Sequence, residues 1–458
     1  MNNKRNVNLV CLFKGLSVSP STTELGGYVD VMLSEPYSLA TAYLKAYAIK
    51  SNIVEKNYNI HLLNLKDDGK GTIDLVSYQN EFLSKILSNN PIAIGFSTYC
   101  WNIDTTLILI KKIKKIRPNI KIILGGKYAL LEYLLRYPEI DFIIRGEGEI
   151  AFKTLLENHL NKINIKGISF KIQNRLIDGG EGDIVKDIDD IPSPFTENII
   201  IPNQYNMMIE LSRGCLNNCG YCNWNSNKSL RYHSKKRIKE EIMYAISRKV
   251  KHITIIDSAI NYNIILLNRF SNIIKHSPKN QLTFSYNLRY EHIDDNQIKY
   301  LKEIPSFQVL VGLETINHKA LNTSNRSQLN IPLFENSIRL ISSYCSPLIG
   351  IILGLPNDNP NEFKKTLHFV ENLNKRLNHK IGGVLVSLLQ VFPNSLLFAQ
   401  RDKYKIKTHK KGVPYIISNI TWNRNQLRLI YSWLKNFSQK SSLKIKGIEG
   451  GWTIEKRR

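Results

Sequence analysis

Met207-Met208-Ile209-Glu210-Leu211-Ser212-Arg213-Gly214-Cys215-Leu216-Asn217-Asn218-Cys219-Gly220-Tyr221-Cys222 is an apolar, strand-like run followed at once by a loop with three cysteines. Three thiolates on one short, glycine-containing loop can wrap a cubane iron–sulfur cluster and leave its fourth iron without a protein ligand. An open iron is a place for a substrate or cofactor to bind. A structural zinc site instead closes with a fourth protein ligand. The nearest candidate, His233, stands alone in a basic stretch with no second Cys pair after it. Zinc and three unrelated packing thiols are the alternatives.

The chain has 458 residues, 43% of them hydrophobic. That exceeds the size one core usually serves, so two large domains and a small terminal piece are expected. The longest apolar stretches, such as 349–355, are too short to span a bilayer. The first residues lead into 7–13 and then Lys14-Gly15, without the longer apolar core and small-residue cleavage site of a signal peptide. A cytoplasmic location is expected. Cys11, Cys100 and Cys345 are scattered, which fits reduced packing thiols better than a disulfide framework.

The net charge of +25 raises the question of nucleic acid. The whole chain is rich in Lys, Asn and Ile, so the charge is weak evidence, and no nucleic-acid partner is expected. In 111–117 the lysines fall largely outside the stripe of Ile103, Leu107, Ile110, Ile113 and Ile116, a solvated helix face. The basic stretches 228–239 and 401–411 could guide an anionic peptide, nucleotide or lipid headgroup.

In the first half, strand-like runs at 7–13, 60–65, 92–97, 120–124 and 142–144 alternate with helix-period segments at 38–50, 73–87, 103–116, 128–136 and 149–160. Such alternation predicts a doubly wound parallel sheet, whose ligands bind at the strand carboxyl ends. There the loops Ser97-Thr98-Tyr99, Gly125-Gly126 and Arg145-Gly146-Glu147-Gly148-Glu149 would gather, the glycines letting a large ligand near the backbone. No Gly-x-Gly-x-x-Gly opens the first helix, so a dinucleotide fingerprint is absent. The expected domain spans 1–178, and 179–203, with glycines, acids and prolines, reads as a linker.

From 204 to 400 the strands 206–211, 253–257, 282–286, 309–313, 347–353 and 383–390 alternate with helical segments such as 237–248 and 361–377. A partial barrel of βα units would put Asp257, Asn261, Arg289, Glu314 and Gly354-Leu355-Pro356 on one carboxyl-terminal rim with the cysteine loop. Each also has an ordinary use as a cap, a turn or half of a salt bridge. Residues 401–458 read as a small cap, with Tyr415, Trp422, Tyr431, Trp433 and Trp452 mainly packed.

The cysteine loop is similar to that of the radical S-adenosylmethionine (SAM) superfamily, whose signature is Cys-x3-Cys-x2-Cys with an aromatic residue before the last Cys, here Tyr221. The resemblance implies a [4Fe-4S] cluster on Cys215, Cys219 and Cys222, an open iron that chelates SAM, and reductive cleavage to a deoxyadenosyl radical. It places Tyr221 beside the adenine and Glu314, in Gly312-Leu313-Glu314-Thr315, at the ribose. Asp257, Asn261 and Arg289 fall near SAM or substrate, with Asp257 and Arg289 as catalytic candidates, and the 350–356 run with Gly354 flanks the adenine. Phe392-Pro393-Asn394-Ser395 replaces the Pro-Gly-Thr of relatives.

The first half resembles the Rossmann-like cobalamin-binding domain of the B12-dependent branch. Pro36-Tyr37-Ser38-Leu39-Ala40, Gly95-Phe96-Ser97-Thr98, Leu124-Gly125-Gly126, the run 141–149 and the run 188–194 carry the likeness. It implies cobalamin against Ser97, Thr98, Tyr99, Gly125, Gly126, Gly146, Glu147 and Gly148. The Asp-x-His-x-x-Gly motif is missing, and His61 and His159 are the only histidines in this half, which implies cobalt without a protein histidine.

The expected protein is therefore a cobalamin-dependent radical SAM C-methyltransferase acting at an unactivated carbon in natural-product or peptide modification. Its expected partners are a small-molecule or peptide substrate and an electron donor such as flavodoxin or ferredoxin. Ring closure or rearrangement without methyl transfer, tRNA modification, and a non-catalytic cobalamin or redox sensor are the alternatives.

Overall fold

The computed structural model describes residues 4–13, 37–66, 75–173, 175–224, 229–278, 282–410 and 412–449. Pro36 and Trp452, the first residues of the expected helix 73–87 and the start of the basic run 228–239 lie outside them. The described residues up to Asn203 form one compact unit and those from Gln204 onward a second.

The first unit holds strands β1 (Arg5–Phe13), β2 (Tyr58–Lys66), β3 (Ala93–Ser97), β4 (Lys121–Gly125), β5 (Phe142–Ile144), β6 (Ile168–Ile172) and β7 (Arg175–Ile177). They lie in the order β2-β1-β3-β4-β5-β6-β7. The β2-β1-β3-β4-β5 part is parallel throughout. β6 and β7 add antiparallel, a hairpin that sequence alternation did not announce.

Helices α1 (Leu39–Ala48), α2 (Asn52–Asn57), α3 (Leu75–Leu87), α4 (Ile103–Ile116), α5 (Glu132–Arg136) and α6 (Glu149–Glu157) intervene. α1 starts at Ser38, whose hydroxyl accepts the Thr41 N–H, a standard way to satisfy a free helix-end donor. α4 buries Ile103, Leu107, Ile110 and Ile113 as its 3.6-residue period requires, and only Ile116 of the expected stripe is exposed. Residues 128–131 turn before α5 instead of extending it. The stretch 179–203 belongs to this unit, with Val185, Ile188, Ile191 and Phe195 buried and Phe195 edge-on to Tyr37 at 5.9 Å.

The second unit is built on β8 (Met207–Ile209), a short ladder of β9 (Ser212–Arg213) with β10 (Arg231–Tyr232), then β11 (His252–Ile255), β12 (Thr283–Leu288), β13 (Ser306–Glu314), β14 (Leu348–Leu353) and β15 (Gly383–Leu388). A second ladder joins β16 (Lys407–Thr408) to β17 (Ile416–Ser418), and β18 (Ile445–Glu449) ends the series. The main sheet runs β18-β15-β14-β13-β12-β11-β8, every neighbour parallel. β18 joins the β15 edge from a region read as cap alone.

Its main helices are α7 (Lys235–Ser247), α8 (Ile264–Lys275), α9 (Asp295–Leu301), α10 (His318–Thr323), α11 (Ile331–Ile341), α12 (Pro360–Arg376), α13 (Leu396–Ala399) and α14 (Arg424–Lys440). Trp422, 1% exposed, packs edge-on to Phe363 at 6.3 Å and donates its indole N–H to Leu355 O at 3.1 Å. Tyr415 and Tyr431 are also buried, and Trp433 stacks on Phe437 at 4.9 Å. No helix among the described residues is long and apolar enough to cross a membrane.

Candidate active site

In the second unit parallel pairing puts the loops after β8, β11, β12, β13 and β14 on one edge, so the cysteine loop shares a rim with Asp257, Arg289, Glu314 and Gly354. Cys215 and Cys219 are buried and Cys222 partly so, all three free of disulfides. Burial pushes the Cys219 and Cys222 thiols up to about 11, because a bare thiolate loses its hydration there. A bound cation reverses that balance, since a coordinating thiol is deprotonated outright.

Among the described residues no three His, Cys, Asp or Glu side chains gather as a single-ion centre. Each of the three sulfurs has a hydrogen-bonding neighbour, and Cys219 has the Tyr221 side chain as well as Arg326. The Trp224 N–H donates to Cys222 Sγ at 3.3 Å, the Arg326 guanidinium to Cys219 Sγ at 3.7 Å, and the Tyr262 hydroxyl lies 3.5 Å from Cys215 Sγ. Donors aimed at sulfur suit electron-rich thiolates, so the loop fits an iron–sulfur cluster with three Cys ligands.

The loop is strapped by the residues after α10. Gly220 N–H bonds Ser324 O at 2.6 Å, Asn325 Nδ2 donates to Asn218 O at 2.8 Å, and Arg326 reaches Cys219. From the other side Leu397 N–H bonds Gly220 O at 2.9 Å.

Asp257 is buried at the root of the loop, where its carboxylate accepts the Leu211 N–H at 2.8 Å and the Ser212 hydroxyl at 2.5 Å. Burial pushes it up to about 7, although both donors favour the charged form. Asn261 is buried and fully engaged: its amide donates to Arg289 O and Gln297 Oε1, and its oxygen accepts the Arg289 N–H. Both residues brace the rim.

Glu314 ends β13 in the left-handed region, φ 67°. Burial pushes its carboxyl up to about 7, with Arg289 and a Tyr221 hydrogen bond pulling the other way. Arg326 sits 3.7 Å from it and donates to Gly312 O at 2.8 Å. A Cβ on Gly312 would run into the Glu314 carboxylate where it now stands, so a side chain there would displace it. Arg289 pairs with Glu291 at 2.5 Å; burial works against its charge, and Glu291 with nearby Tyr262, Cys219 and Tyr221 outweighs that and raises its pKa. Gly354, at φ +97°, receives the Asn419 amide on its carbonyl at 2.9 Å.

The first unit presents a separate rim. Ser97 pairs with both Cys11 and Gly125, so β3 and β4 end level while β1 runs on to Phe13. Thr98 bonds Gly125 O through both its N–H and its hydroxyl at 2.8 Å. Gly126, at φ +95°, passes so close to Thr98 that a Cβ would lie 2.7 Å from its carbonyl oxygen, whereas a Cβ on Gly125 would meet nothing within 4 Å. Tyr99 stacks on Trp101 at 4.5 Å and 4°. After β5, Gly146 takes φ +79° beside Glu181 and Gly182; Glu147 follows, and Gly148 O accepts the Phe152 N–H at the start of α6. This rim has open space over glycine and a flat aromatic pair, which suits a large planar ligand.

Neither histidine of this unit stands on that rim. His61 lies within β2 and contacts Asn6 at 3.1 Å, and His159 contacts Arg5 at the amino-terminal end of β1. Of the basic run 228–239, Arg237 is spent on a buried ion pair with Glu241 at 2.7 Å, while Lys235, Lys236 and Lys239 are exposed. Sequence reasoning missed Arg326, Tyr262 and the 324–326 strap, none of which belongs to a short motif.

Residues 34–156 match the B12 binding domain family model, and residues 209–370 match that of the radical SAM superfamily. The cobalamin-dependent radical SAM methyltransferase TokK of Streptomyces tokunonensis is 24% identical over 193 residues, 38% of this chain and 28% of that protein. The 2-(S-pantetheinyl)-carbapenam-3-carboxylate methyltransferase of Streptantibioticus cattleyicolor is 22% identical over 311 residues, 60% of this chain and 44% of that protein. The matched part thus spans less than half the length of these curated relatives. The structure of the radical S-adenosylmethionine methyltransferase TsrM from Kitasatospora setae superposes with TM-score 0.66 at 13% identity, covering 91% of this chain and 80% of that one, a likeness of fold.

Proposed function

The chain belongs to the radical SAM enzymes that carry an N-terminal B12-binding domain, and from that premise we propose that it is a C-methyltransferase acting at an unactivated carbon of a small-molecule or peptide substrate. The observation that supports the proposal is the presence in one chain of two rims whose residues suit the two cofactors. One is the cysteine loop with a donor at each sulfur, and the other is the glycine-lined edge of the first sheet. When bound, the cluster supplies the electron that cleaves SAM to a deoxyadenosyl radical, and cobalamin serves as carrier of the methyl group.

The chain's own residues bind and orient. Cys215, Cys219 and Cys222 hold the cluster, Glu314 accepts a ribose hydroxyl of SAM, and Tyr221, hydrogen-bonded to Glu314, lines the adenine. Arg289 contributes positive charge beside the loop, and Gly312 keeps the space next to Glu314 clear. Asp257 and Asn261 fix the loops that carry these groups. In the first unit Ser97, Thr98, Gly125 and Gly126 form the floor for cobalamin, with Tyr99, Gly146, Glu147 and Gly148 at its margins. The placement of His61 and His159 away from that floor supports cobalt bound without a protein histidine. A flavodoxin- or ferredoxin-type protein would supply the electrons.

The test is incubation of anaerobically reconstituted protein with trideuteromethyl-SAM, a strong reductant and a panel of candidate substrates. A product heavier by one CD3 group, together with deoxyadenosine, is expected. Reaction with a substrate that yields deoxyadenosine but no methylated product would overturn methyl transfer in favour of rearrangement. Methylated product without deoxyadenosine would overturn the radical step.

A further inference from the structure

We propose that Arg326 and Tyr262 are positioning residues that raise the reduction potential of the cluster by donating hydrogen bonds to two of its thiolate sulfurs. The proposal rests on the reading that Cys215, Cys219 and Cys222 hold a [4Fe-4S] cluster.

The direction of each bond follows from the donor inventory of the groups. A guanidinium has no acceptor, so the 3.7 Å contact of Arg326 with Cys219 Sγ is N–H to sulfur. The Tyr262 hydroxyl could point either way, but Asn217 Nδ2 lies 2.5 Å from its oxygen and can only donate there. The phenol proton is therefore free for Cys215 Sγ at 3.5 Å. Asn217 lies on the cysteine loop itself, so the loop orients the donor that serves it.

Both donors come from distant parts of the chain, 47 residues away for Tyr262 and 107 for Arg326. Arg326 is held in place by Gly312 O at 2.8 Å and Glu314 at 3.7 Å, and its side chain is 6% exposed. A cation fixed in a water-poor setting acts on nearby charge through a low effective dielectric. Reduction adds one electron to the cluster and spreads negative charge onto the sulfurs. Donors to sulfur then stabilise the reduced state more than the oxidised one and raise the potential. The cationic donor should count for more than the neutral hydroxyl, as charge-assisted hydrogen bonds are the stronger kind.

A purely structural Arg326, which only ties the cysteine loop to the end of β13, would change how much cluster assembles and leave its potential alone. The experiment is an EPR-monitored redox titration of the reconstituted full-length protein, with Arg326→Gln and Tyr262→Phe alongside. Arg326→Gln is expected to lower the one-electron equilibrium constant at least tenfold, about 59 mV towards harder reduction. Tyr262→Phe should shift it the same way by less, and remove one exchangeable-proton coupling from the pulsed EPR spectrum of the reduced cluster. Should Arg326→Gln assemble no cluster, Tyr262→Phe, which deletes a single hydroxyl, decides alone. Normal clusters whose potential ignores the changes, with the proton coupling intact in Tyr262→Phe, overturn the inference. A wild-type protein without any cluster would overturn the reading beneath it as well.

Discussion

Gly220 sits where the cysteine loop is thinnest. A Cβ there would lie 3.2 Å from Ser324 O and 3.5 Å from Leu397 Cγ, while its own N–H and carbonyl bond the same two residues. Gly220→Ala must push the strap outward, so reconstituted protein should bind less iron per chain at unchanged circular dichroism. Iron equal to wild type would contradict this. A second residue-scale effect concerns Asp358, fully buried and hydrogen-bonded to Thr315 and Asn317. Burial lifts it from 3.8 to about 6, so between those values the folded chain holds a proton that the unfolded chain has released. Stability then falls as pH rises through that window, by on the order of 3 kcal/mol. Urea unfolding from pH 4 to 6.5 should show wild type losing ground to Asp358→Asn, whatever their fixed offset; a gap independent of pH would contradict it. The loop of Cys215, Cys219 and Cys222 was legible because the spacing of thiols on one loop is local chemistry. Arg326 and Tyr262 were not, because they meet the loop only after the strands that carry them have paired.

At the scale of elements, adjacent glycines after β4 have opposite requirements. Gly126→Ala forces a left-handed residue against the Thr98 carbonyl and should destabilise the first unit by about 1 kcal/mol or more. Gly125→Ala meets nothing and should leave stability unchanged, yet lower cobalamin retained after gel filtration, because the methyl group enters the ligand's space. Full retention would place cobalamin elsewhere. In the second unit Trp422→Phe leaves Leu355 O without its indole donor, and a urea titration should show a loss of about 2 kcal/mol. The alternation of strands and helices could be read because each buried run has its own period. The hairpin β6–β7 and strand β18 could not. Ile445-Lys446-Gly447-Ile448-Glu449 is short and charged, and becomes a strand because the open edge of β15 offers it a partner.

For the whole molecule, length suggested two large domains and a small terminal piece; the described residues form two compact units that meet in sequence at Asn203 and Gln204. The net charge of +25 had less to say: it is the excess of 63 Lys and Arg over 38 Asp and Glu along the whole chain, and ion pairs such as Arg237 with Glu241 and Lys114 with Asp141 leave it unchanged. The proposed function needs both units loaded, and no histidine motif marks the first of them in the sequence. The deciding experiment is therefore elemental analysis of wild-type protein reconstituted anaerobically with iron, sulfide and hydroxocobalamin and freed of unbound cobalamin. About one cobalt alongside about four iron atoms per chain is predicted. Cobalt near zero with the iron retained would contradict a cobalamin-dependent methyltransferase and leave a simpler radical SAM reaction.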